Sequence, residues 1–270
     1  MDQLTQHSLW KTNIRHKNWM VWGSCFVLAL LTAYCWAIMT EETIWEFVYD
    51  APVQGADLIN RMFPPDWLYI NKLYKALWDT INIATLGTLL GLIIALPVAF
   101  LAARNTTPSV LFVRPIALFV IAASRSINSL IWALLLVNIL GPGILAGVLA
   151  IGLRSVGFIA KLFYESIEEI NTTSVEAIES TGASHFQVIN YAIIPQVLPA
   201  FLGVIIFRWD INIRESTILG LVGAGGIGLF LSSSLNVLAW PQVTLIIVVI
   251  LATVIISEFI SAKVRSLLIG

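Results

Sequence analysis

The chain has 270 residues, of which 58% are hydrophobic and 11% are charged, and its formal net charge is −1. So few charges are hard to reconcile with the surface of a water-soluble protein of this length, and a polytopic membrane protein fits the composition better. The net charge says little about partners, because the placement of Lys and Arg carries more information than their sum in a membrane protein, and no nucleic-acid partner is expected.

Six apolar runs approach the roughly 20 residues that a helix needs to cross about 30 Å of hydrocarbon. The third run is too long for one straight span, is broken near SRSINS, and has Arg114 and Arg125 on either side of its first half. We therefore expect an interfacial helix that leads into a span from about residue 127. The predicted fold class is an all-α polytopic membrane protein with six transmembrane helices. The six runs are residues 19–40, 76–103, 111–140, 143–164, 197–220 and 240–262.

Basic residues outside these runs fall unequally on the two sides of the predicted topology. Only Arg61, Lys72 and Lys75 fall on one side. Because cytoplasmic loops carry an excess of Lys and Arg, we expect both termini in the cytoplasm of a bacterium and residues 41–75 on the outside of its inner membrane. The nine basic residues on the cytoplasmic side are Lys11, Arg15, Lys17, Arg104, Arg114, Arg125, Lys161, Lys263 and Arg265. The tryptophans expected near the outer interface are Trp45, Trp67, Trp78 and Trp240.

The N-terminal part is interpreted as cytoplasmic residues, a first span and an external loop, together residues 1–75, ahead of a transmembrane core at 76–270. No small-residue cleavage site follows the first apolar run, so this run is expected to be an uncleaved span. Cys25 and Cys35 lie ten residues apart, which is neither a redox pair nor a metal-ligand spacing, and both are interpreted as packing residues.

Residues 165–195 form a polar insert between apolar runs, and the predicted topology places them in the cytoplasm. Thr173 to Glu176 has the form of a capping box that opens a first short helix, and Gly182 can take the left-handed conformation that ends it. Ser184 to Gln187 has the same capping form and opens a second helix.

In this second helix, Phe186, Ile189 and Ile193 are spaced to share one face. Pro195 and Pro199 mark the beginning of the next span. A simple connector needs neither paired caps nor an apolar stripe, so the pattern favours a docking surface.

The spacing of Glu176-Ala177, Gly182 and Pro195 resembles the coupling loop of ABC importer permeases. In that family the loop fits a groove on a cytoplasmic ATPase subunit and transmits its closure to the spans. The departures are Ile178 in place of an alanine and Ala192 in place of an isoleucine. The resemblance implies that ATPase coupling involves Glu176, Ala177, Gly182, Ala183, Ser184, Phe186 and Pro195.

A narrower resemblance covers roughly residues 76–265. The stretches LGTLLGLIIALPVAFLAARN (86–105), TGASHFQVINYAIIPQVLPAF (181–201) and FRWDINIRESTILGLVGAGGIG (207–228) are similar to phosphonate-transporter permeases, a group that includes phosphite and hypophosphite importers. Asn128 stands where related permeases tend to have proline, which leaves the shape of that kink open.

The segment RWDINIRE lies inside the fifth apolar run, and ionised groups at that depth would cost several kcal/mol each if they faced lipid. Helical spacing makes Asp210 and Arg214 neighbours, and likewise Arg208 and Asn212, while Arg208 and Glu215 share a face. Two interpretations stay open and can both hold: a self-neutralising structural network, or a pathway in which guanidinium groups guide an oxyanion. The candidate pathway residues are Arg154, Arg208, Asp210, Asn212, Arg214 and Glu215.

GAGGIG at 223–228 contains a G-x-G-x-x-G pattern but lacks the preceding strand and the βαβ unit of a dinucleotide site. Its glycines Gly223, Gly225, Gly226 and Gly228 are interpreted as close packing near the outer mouth, and the resemblance implies a gate that closes the external side.

The sequence holds no phosphate-binding loop of the G-x-x-x-x-G-K-[ST] type, and no nucleophile motif accompanies its histidines at 7, 16 and 185. We expect a transport subunit that is not an enzyme and has no cofactor or metal of its own, with ATP and Mg²⁺ bound by a partner. The glutamates interpreted as a solvated cytoplasmic face, where Glu176 can meet the ATPase, are Glu165, Glu168, Glu169, Glu176 and Glu179.

A single set of six spans predicts a homodimer around a two-fold pore, which the family resemblance also implies. The expected partners are two cytoplasmic ABC ATPase subunits, one extracytoplasmic solute-binding protein and the surrounding lipid. The expected function is ATP-driven import of phosphonate, phosphite or a related phosphorus oxyanion by alternating access. The alternatives are an importer of another small solute such as an amino acid, a channel or secondary carrier, and a membrane-embedded enzyme.

Overall fold

A computed structural model of the chain describes the backbone of residues 2–269 and the side chains of residues 19–267. The side chains of Lys11, Arg15, Lys17, His7 and His16 lie outside this described part. Between residues 2 and 269 the regular structure is helical throughout, which confirms the all-α fold class. Its helices are α1 (Asp2–Glu42), α2 (Trp45–Met62), α3 (Ile70–Ala102), α4 (Val113–Ser126), α5 (Ser129–Leu140), α6 (Ile144–Glu168), α7 (Thr172–Glu179), α8 (His185–Val188), α9 (Ile194–Leu219), α10 (Ile227–Asn236) and α11 (Trp240–Ile269).

Contacts divide the chain into two units, residues 1–58 and 59–270. The first unit holds α1, whose apolar part is Trp19–Glu42, and most of α2. On α2 the acidic residues Glu46, Asp50 and Asp57 recur at spacings of four and seven, as on one face of a helix. The second unit holds the remaining helices and every site considered below.

Five helices in the described part of the chain are long and apolar enough to cross a membrane. A sixth crossing is possible if α4 and α5, which meet at an angle of 86°, are counted as one broken span. The structure therefore matches the number of predicted spans only when this pair is taken together. Counted with the short helical turns that adjoin them, and over the residues whose side chains are described, the five helices are Trp19–Glu42, Trp67–Ala102, Ile144–Glu168, His185–Val222 and Trp240–Leu267.

Small residues bring α3 and α6 into close contact. Gly87, Gly91, Ala95 and Ala99 follow one another at every fourth position of α3 and are all buried. A β-carbon on Gly91 would lie 2.6 Å from the Cβ of Ser155 on α6. Such small residues allow two membrane helices to approach and gain dispersion contacts where no hydrophobic effect drives them together.

The predicted interfacial helix at the start of the third run is wrong. At its beginning Arg114 Nη2 lies 3.2 Å from Glu168 Oε1 at the end of α6, and near its end Ser124 Oγ accepts the N–H of Gly157 at 2.9 Å. Helix α4 thus runs along the second half of α6, where Ala117 and Ile121 are buried in the core. The apolar face of α4 decides its place, because it packs better against protein than at a polar interface.

Helix α5 follows the first half of α6, with Ala133 packed near Ala150 and Ile151. Its 12 residues reach about 18 Å, well short of the hydrocarbon thickness. Asn128 caps α5 by accepting the N–H of Leu130 at 3.1 Å. The break at SRSINS therefore lies level with the middle of α6. Helix α5 packs along the first half of α6, and α4 packs along the second half.

Contacts between loops group the ends of the spans as the topology predicts. Asn105 donates to the Ile167 carbonyl at 2.9 Å, which joins the ends of α3 and α6 beside the insert. The backbone N–H of Asp66 donates to the Pro241 carbonyl at 3.2 Å, so the beginnings of α3 and α11 lie together. We call these the insert end and the opposite end of the bundle.

The first cap of the insert differs from the predicted capping box. Helix α7 begins at Thr172, because the side chain of Asn171 accepts the N–H of Thr173 at 2.9 Å. Asparagine is at least as good an N-cap as threonine, so it starts the helix earlier. Gly182 has a φ of +80°, which confirms its predicted left-handed conformation.

The second cap is the predicted one, since the N–H of Ser184 donates to Gln187 Oε1 at 2.7 Å and the capping box is complete. The predicted face of Phe186, Ile189 and Ile193 is wrong, because a π-helical turn at Ile189–Ile193 changes the register. Phe186 is 78% exposed, whereas Ile193 is 2% exposed. Helix α9 begins at Ile194 with Pro195 in its first turn, as predicted, and continues through Pro199.

Candidate functional site

A layer of polar side chains crosses the middle of the bundle, and Arg208 on α9 is its centre. The guanidinium of Arg208 is 2% exposed, donates from Nε to Ser155 Oγ on α6 at 3.0 Å, and lies over the ring of Phe158 at 5.1 Å from its centroid. The amide of Asn212 donates to the same Ser155 Oγ at 3.1 Å and to Thr88 Oγ1 on α3 at 2.7 Å. Arg208 and Asn212 thus meet at Ser155, and together they join three helices.

Glu215 lies between two arginines. Its Oε2 is 3.4 Å from Nη2 of Arg208, and its Oε1 is 3.3 Å from Nε of Arg154 on α6. Two guanidinium groups against one carboxylate leave one positive charge in this group. Arg154 is 30% exposed and Glu215 17% exposed, so the group is open on one side.

That open side is a cavity of about 380 Å³, within the range of roughly 300–1,000 Å³ typical of small-molecule sites. Its wall is formed where α5 begins and where α6 and α9 face each other. The residues that line it are Asn128, Ser129, Leu130, Ile131, Arg154, Glu215, Ile218 and Leu219.

The second charge pair on α9 is separate from this cavity wall. Asp210 is buried, pairs with Arg214 one turn on, and accepts a hydrogen bond at 2.7 Å from Ser257 Oγ on α11. Arg214 is 48% exposed although it lies within a span, two residues beyond Asn212. The structure thus brings all six candidate pathway residues into contacts with one another or with a neighbouring helix, and leaves Arg154 and Arg214 partly open.

Arg125 is a residue that the sequence analysis assigned to the cytoplasmic side. It is exposed, and a β-carbon on Gly157 would lie 2.8 Å from its Cγ, so it stands level with the middle of α6. Its backbone neighbours at SRSINS begin the cavity wall. The signal was the polar break itself, because serines and an asparagine inside a long apolar run indicate a break between two helices.

The glycine-rich segment after α9 packs against α3 and the beginning of α6, toward the opposite end of the bundle. The N–H of Gly143 donates to the Gly223 carbonyl at 3.0 Å, and the N–H of Ile227 donates to Thr80 Oγ1 at 2.8 Å. Gly223, Gly225 and Gly226 have φ values of +88°, +84° and +74°, which only glycine adopts without strain. The segment follows a helix and not a strand, as expected for a site that does not bind a dinucleotide.

We expect Gly228→Ala to destabilise the chain by about 1–3 kcal/mol, the usual range for overpacking a tight contact. The new methyl group would lie 2.0 Å from the Thr217 carbonyl oxygen, and that neighbour is backbone, which cannot rotate away. Gly23→Ala is the matched control, because nothing lies within 4 Å of its added methyl group. Thermal unfolding of the two purified variants measures the difference, and equal midpoints would contradict the close packing.

The outward surface of the insert combines apolar and acidic groups. Ile189 and Val175 pack against the core beneath it, while Phe186 is exposed and Ala183 is partly buried. The other candidate coupling residues, all exposed, are Glu176, Ala177, Gly182, Ser184 and Pro195. Of the five glutamates interpreted as a solvated face, Glu165 pairs with Lys161 at 3.5 Å and Glu168 with Arg114.

Among the described residues, His, Cys, Asp and Glu form no group of three or more that could hold a metal ion. The groups that can donate hydrogen bonds to an anion at the cavity are the Arg154 guanidinium, the Ser129 hydroxyl and the Asn128 amide. Cys25 and Cys35 are both free and exposed on α1, so the prediction that they are packing residues within this chain is wrong.

Comparisons with known proteins agree with this architecture. Residues 87–265 match the family described as binding-protein-dependent transport system inner membrane component. The phosphite transport system permease protein PtxC of Stutzerimonas stutzeri is 41% identical over 210 residues, 78% of this chain and 76% of that protein. The phosphate-import permease protein PhnE of Mycolicibacterium smegmatis is 39% identical over 228 residues, 83% of this chain and 43% of that protein. A chain of the inward-facing MetNI methionine ABC transporter has a TM-score of 0.66 at 20% identity, over 75% of this chain and 99% of that chain, which shows the fold.

Proposed function

Because the chain belongs to the binding-protein-dependent transport system inner membrane components, the permease subunits of ABC importers, we propose that it imports phosphite, a phosphonate or a related phosphorus oxyanion. The observation that carries the substrate class is the cavity lined by Arg154 and Glu215, with Arg208 buried behind Glu215 and paired with the same carboxylate. Guanidinium groups offer forked donors to tetrahedral oxyanions, and one positive charge remains there after Glu215 is counted. The names of the relatives PtxC and PhnE support the same class.

Sidedness follows from the basic residues near the insert end. Arg104 and Arg114 lie there beside Glu168, and the positive-inside rule assigns that end to the cytoplasm. Both termini are then cytoplasmic, and the glycine segment 220–228 lies at the outer mouth. Phosphite would pass from an external solute-binding protein to the cavity, and from there past Arg125 to the cytoplasm.

Coupling uses the exposed surface of the insert. Its capped helices present Phe186 and Gly182 to two cytoplasmic ATPase subunits, which bind ATP and Mg²⁺ in place of this chain. Closure of the ATPase dimer moves the insert, and α9 transmits the motion because it continues from α8 without a break as far as the glycine segment. The gate formed by Gly223, Gly225, Gly226 and Gly228 then opens outward.

A second copy of this chain completes the pathway. Arg214 is half exposed two residues beyond Asn212 of the polar layer, where contact with lipid would cost several kcal/mol, so a second transmembrane chain or a water-filled path must cover it. Phe207, Ile211, Arg214, Ile218 and Leu221 repeat at spacings of four and three, the seam of a helix pair. Co-purification of two differently tagged copies tests the homodimer, and recovery of one copy with a different permease contradicts it.

The substrate is tested by uptake into proteoliposomes that contain the chain with its ATPase and binding protein. We expect ATP-dependent uptake of phosphite that excess methylphosphonate inhibits and excess methionine does not. Inhibition by methionine alone would favour the amino-acid alternative. Uptake without the ATPase would favour a channel or a secondary carrier.

Arg214→Ala is expected to reduce uptake per folded transporter at least about tenfold, beyond any loss of folded protein that comes from leaving buried Asp210 without its ionic partner. Arg214 is half exposed, so its removal leaves little unfilled space, and Asp210 keeps its hydrogen bond from Ser257. Uptake per transporter, normalised to membrane abundance, measures the effect. Normal uptake at normal abundance would exclude Arg214 from the pathway.

A further inference from the structure

We infer that Glu215 is a resident counter-anion, which holds the place of the substrate between Arg154 and Arg208 and is displaced by the incoming oxyanion. The inference rests on the proposed function, because it assigns a role within that anion site. It makes Glu215 a specificity and release residue and not a fixed structural partner.

Glu215 makes long contacts with both arginines. Its oxygens lie 3.3 Å from Arg154 and 3.4 and 3.5 Å from Arg208. Hydrogen bonds between guanidinium and carboxylate groups are usually about 2.7–2.9 Å long. The carboxylate is therefore drawn toward both arginines but is held tightly by neither.

Arg208 is held in place by its neighbours, whereas the Glu215 carboxylate has room to move. Arg208 is fully buried, donates to Ser155 at 3.0 Å and is stacked on Phe158. Glu215 lines the cavity of about 380 Å³ on its open side. A swing of its side chain into that space would uncover donors that already point at the vacated position.

Glu215 also balances part of the positive charge of Arg154 and Arg208. Without Glu215, two guanidinium groups would face a small cavity with no anion inside the protein to balance them. An anion would then enter readily but leave slowly, whereas transport needs a site that binds weakly enough to release its cargo. A carboxylate that returns to the arginines competes with the substrate and helps to expel it.

The neighbouring pair shows the contrast. Asp210 is buried, bonds directly to Arg214 and accepts a further hydrogen bond at 2.7 Å from Ser257. That carboxylate has partners on two sides and does not line the cavity. Of the two acids on α9, only Glu215 combines a position beside the cavity with long contacts.

The test measures protection of a cysteine in the cavity by phosphite. Ile131→Cys is introduced on the cavity wall of a chain in which Cys25→Ala and Cys35→Ala remove the free thiols. The complex with its ATPase is purified in detergent and treated with N-ethylmaleimide, a neutral reagent whose approach does not depend on local charge. The readout is the phosphite concentration that halves the rate of labelling.

We expect Glu215→Gln to lower this half-protecting concentration about tenfold, equivalent to ~1.4 kcal/mol, because the amide no longer competes for the arginines. Glu258→Gln on α11 is the matched control and should leave it unchanged. Glu215→Asp shortens the side chain by one methylene and should lower it by a smaller factor, which gives a second measurement if Glu215→Gln does not accumulate.

The direction in which the half-protecting phosphite concentration changes shows whether Glu215 is displaced by the anion or only clamps the two arginines. If Glu215 only clamps the two arginines, its loss frees them and the half-protecting concentration stays the same or rises, which overturns the inference alone. If phosphite, phosphate and methylphosphonate all fail to protect the parent chain, the anion site itself is refuted, and the proposed substrate class falls with it.

Discussion

Gly182→Asp is expected to abolish transport, with loss of ATPase co-purification by at least about tenfold. Gly182 is exposed at the turn between α7 and α8, and no atom lies within 4 Å of the place where a side chain would begin. Aspartate is one of the residues that best tolerate left-handed backbone, so the insert should stay folded. The loss then comes from a bulky charge on a surface that an ATPase subunit must cover closely.

A matched control exists at the opposite end of the bundle. Gly141 has a φ of +85° and equally open surroundings. Gly141→Asp therefore adds the same charge, in a backbone conformation (ψ 165°) that tolerates a side chain even less well, but should leave ATPase binding intact. Comparable ATPase recovery and uptake for Gly182→Asp and the parent chain would refute the assignment of the insert as the coupling surface.

Arg208→Met is expected to lower the free energy of unfolding by about 3–5 kcal/mol, the usual result of removing one partner of a buried ion pair. The substitution leaves Ser155 without its guanidinium donor and Glu215 with Arg154 as its remaining ionic contact. Folded abundance in the membrane and the midpoint of thermal unfolding should both fall.

A double substitution separates the lost charge partner from the lost volume. Arg208→Met combined with Glu215→Gln removes both charges, and comparison with the two single variants measures the coupling between Arg208 and Glu215. If the two changes add without coupling, the pair contributes nothing beyond the packing of each side chain. A single Arg208→Met chain as stable as the parent would contradict the central role of Arg208 in the polar layer.

Local patterns in the sequence predict much of this fold correctly. The apolar runs locate the spanning helices because a helix needs a defined length to cross the hydrocarbon, and the six-residue spacing from Glu176 to Gly182 locates the insert. The Ser184 capping box and the left-handed Gly182 are also recognisable, since each depends on a few adjacent residues. Where two caps compete, as at Asn171 and Thr173, the pattern alone does not show which one starts the helix.

Membrane-spanning runs, ionised groups within one of them and a polar insert after the fourth run can all be read from residue order. The packing of α4 beside α6, the level of Arg125 at the middle of α6 and the contact of Arg154 with Glu215 on another helix appear only in the folded chain. The physical reason is that a polar group in the membrane takes its partners from other helices, and those are distant in the sequence.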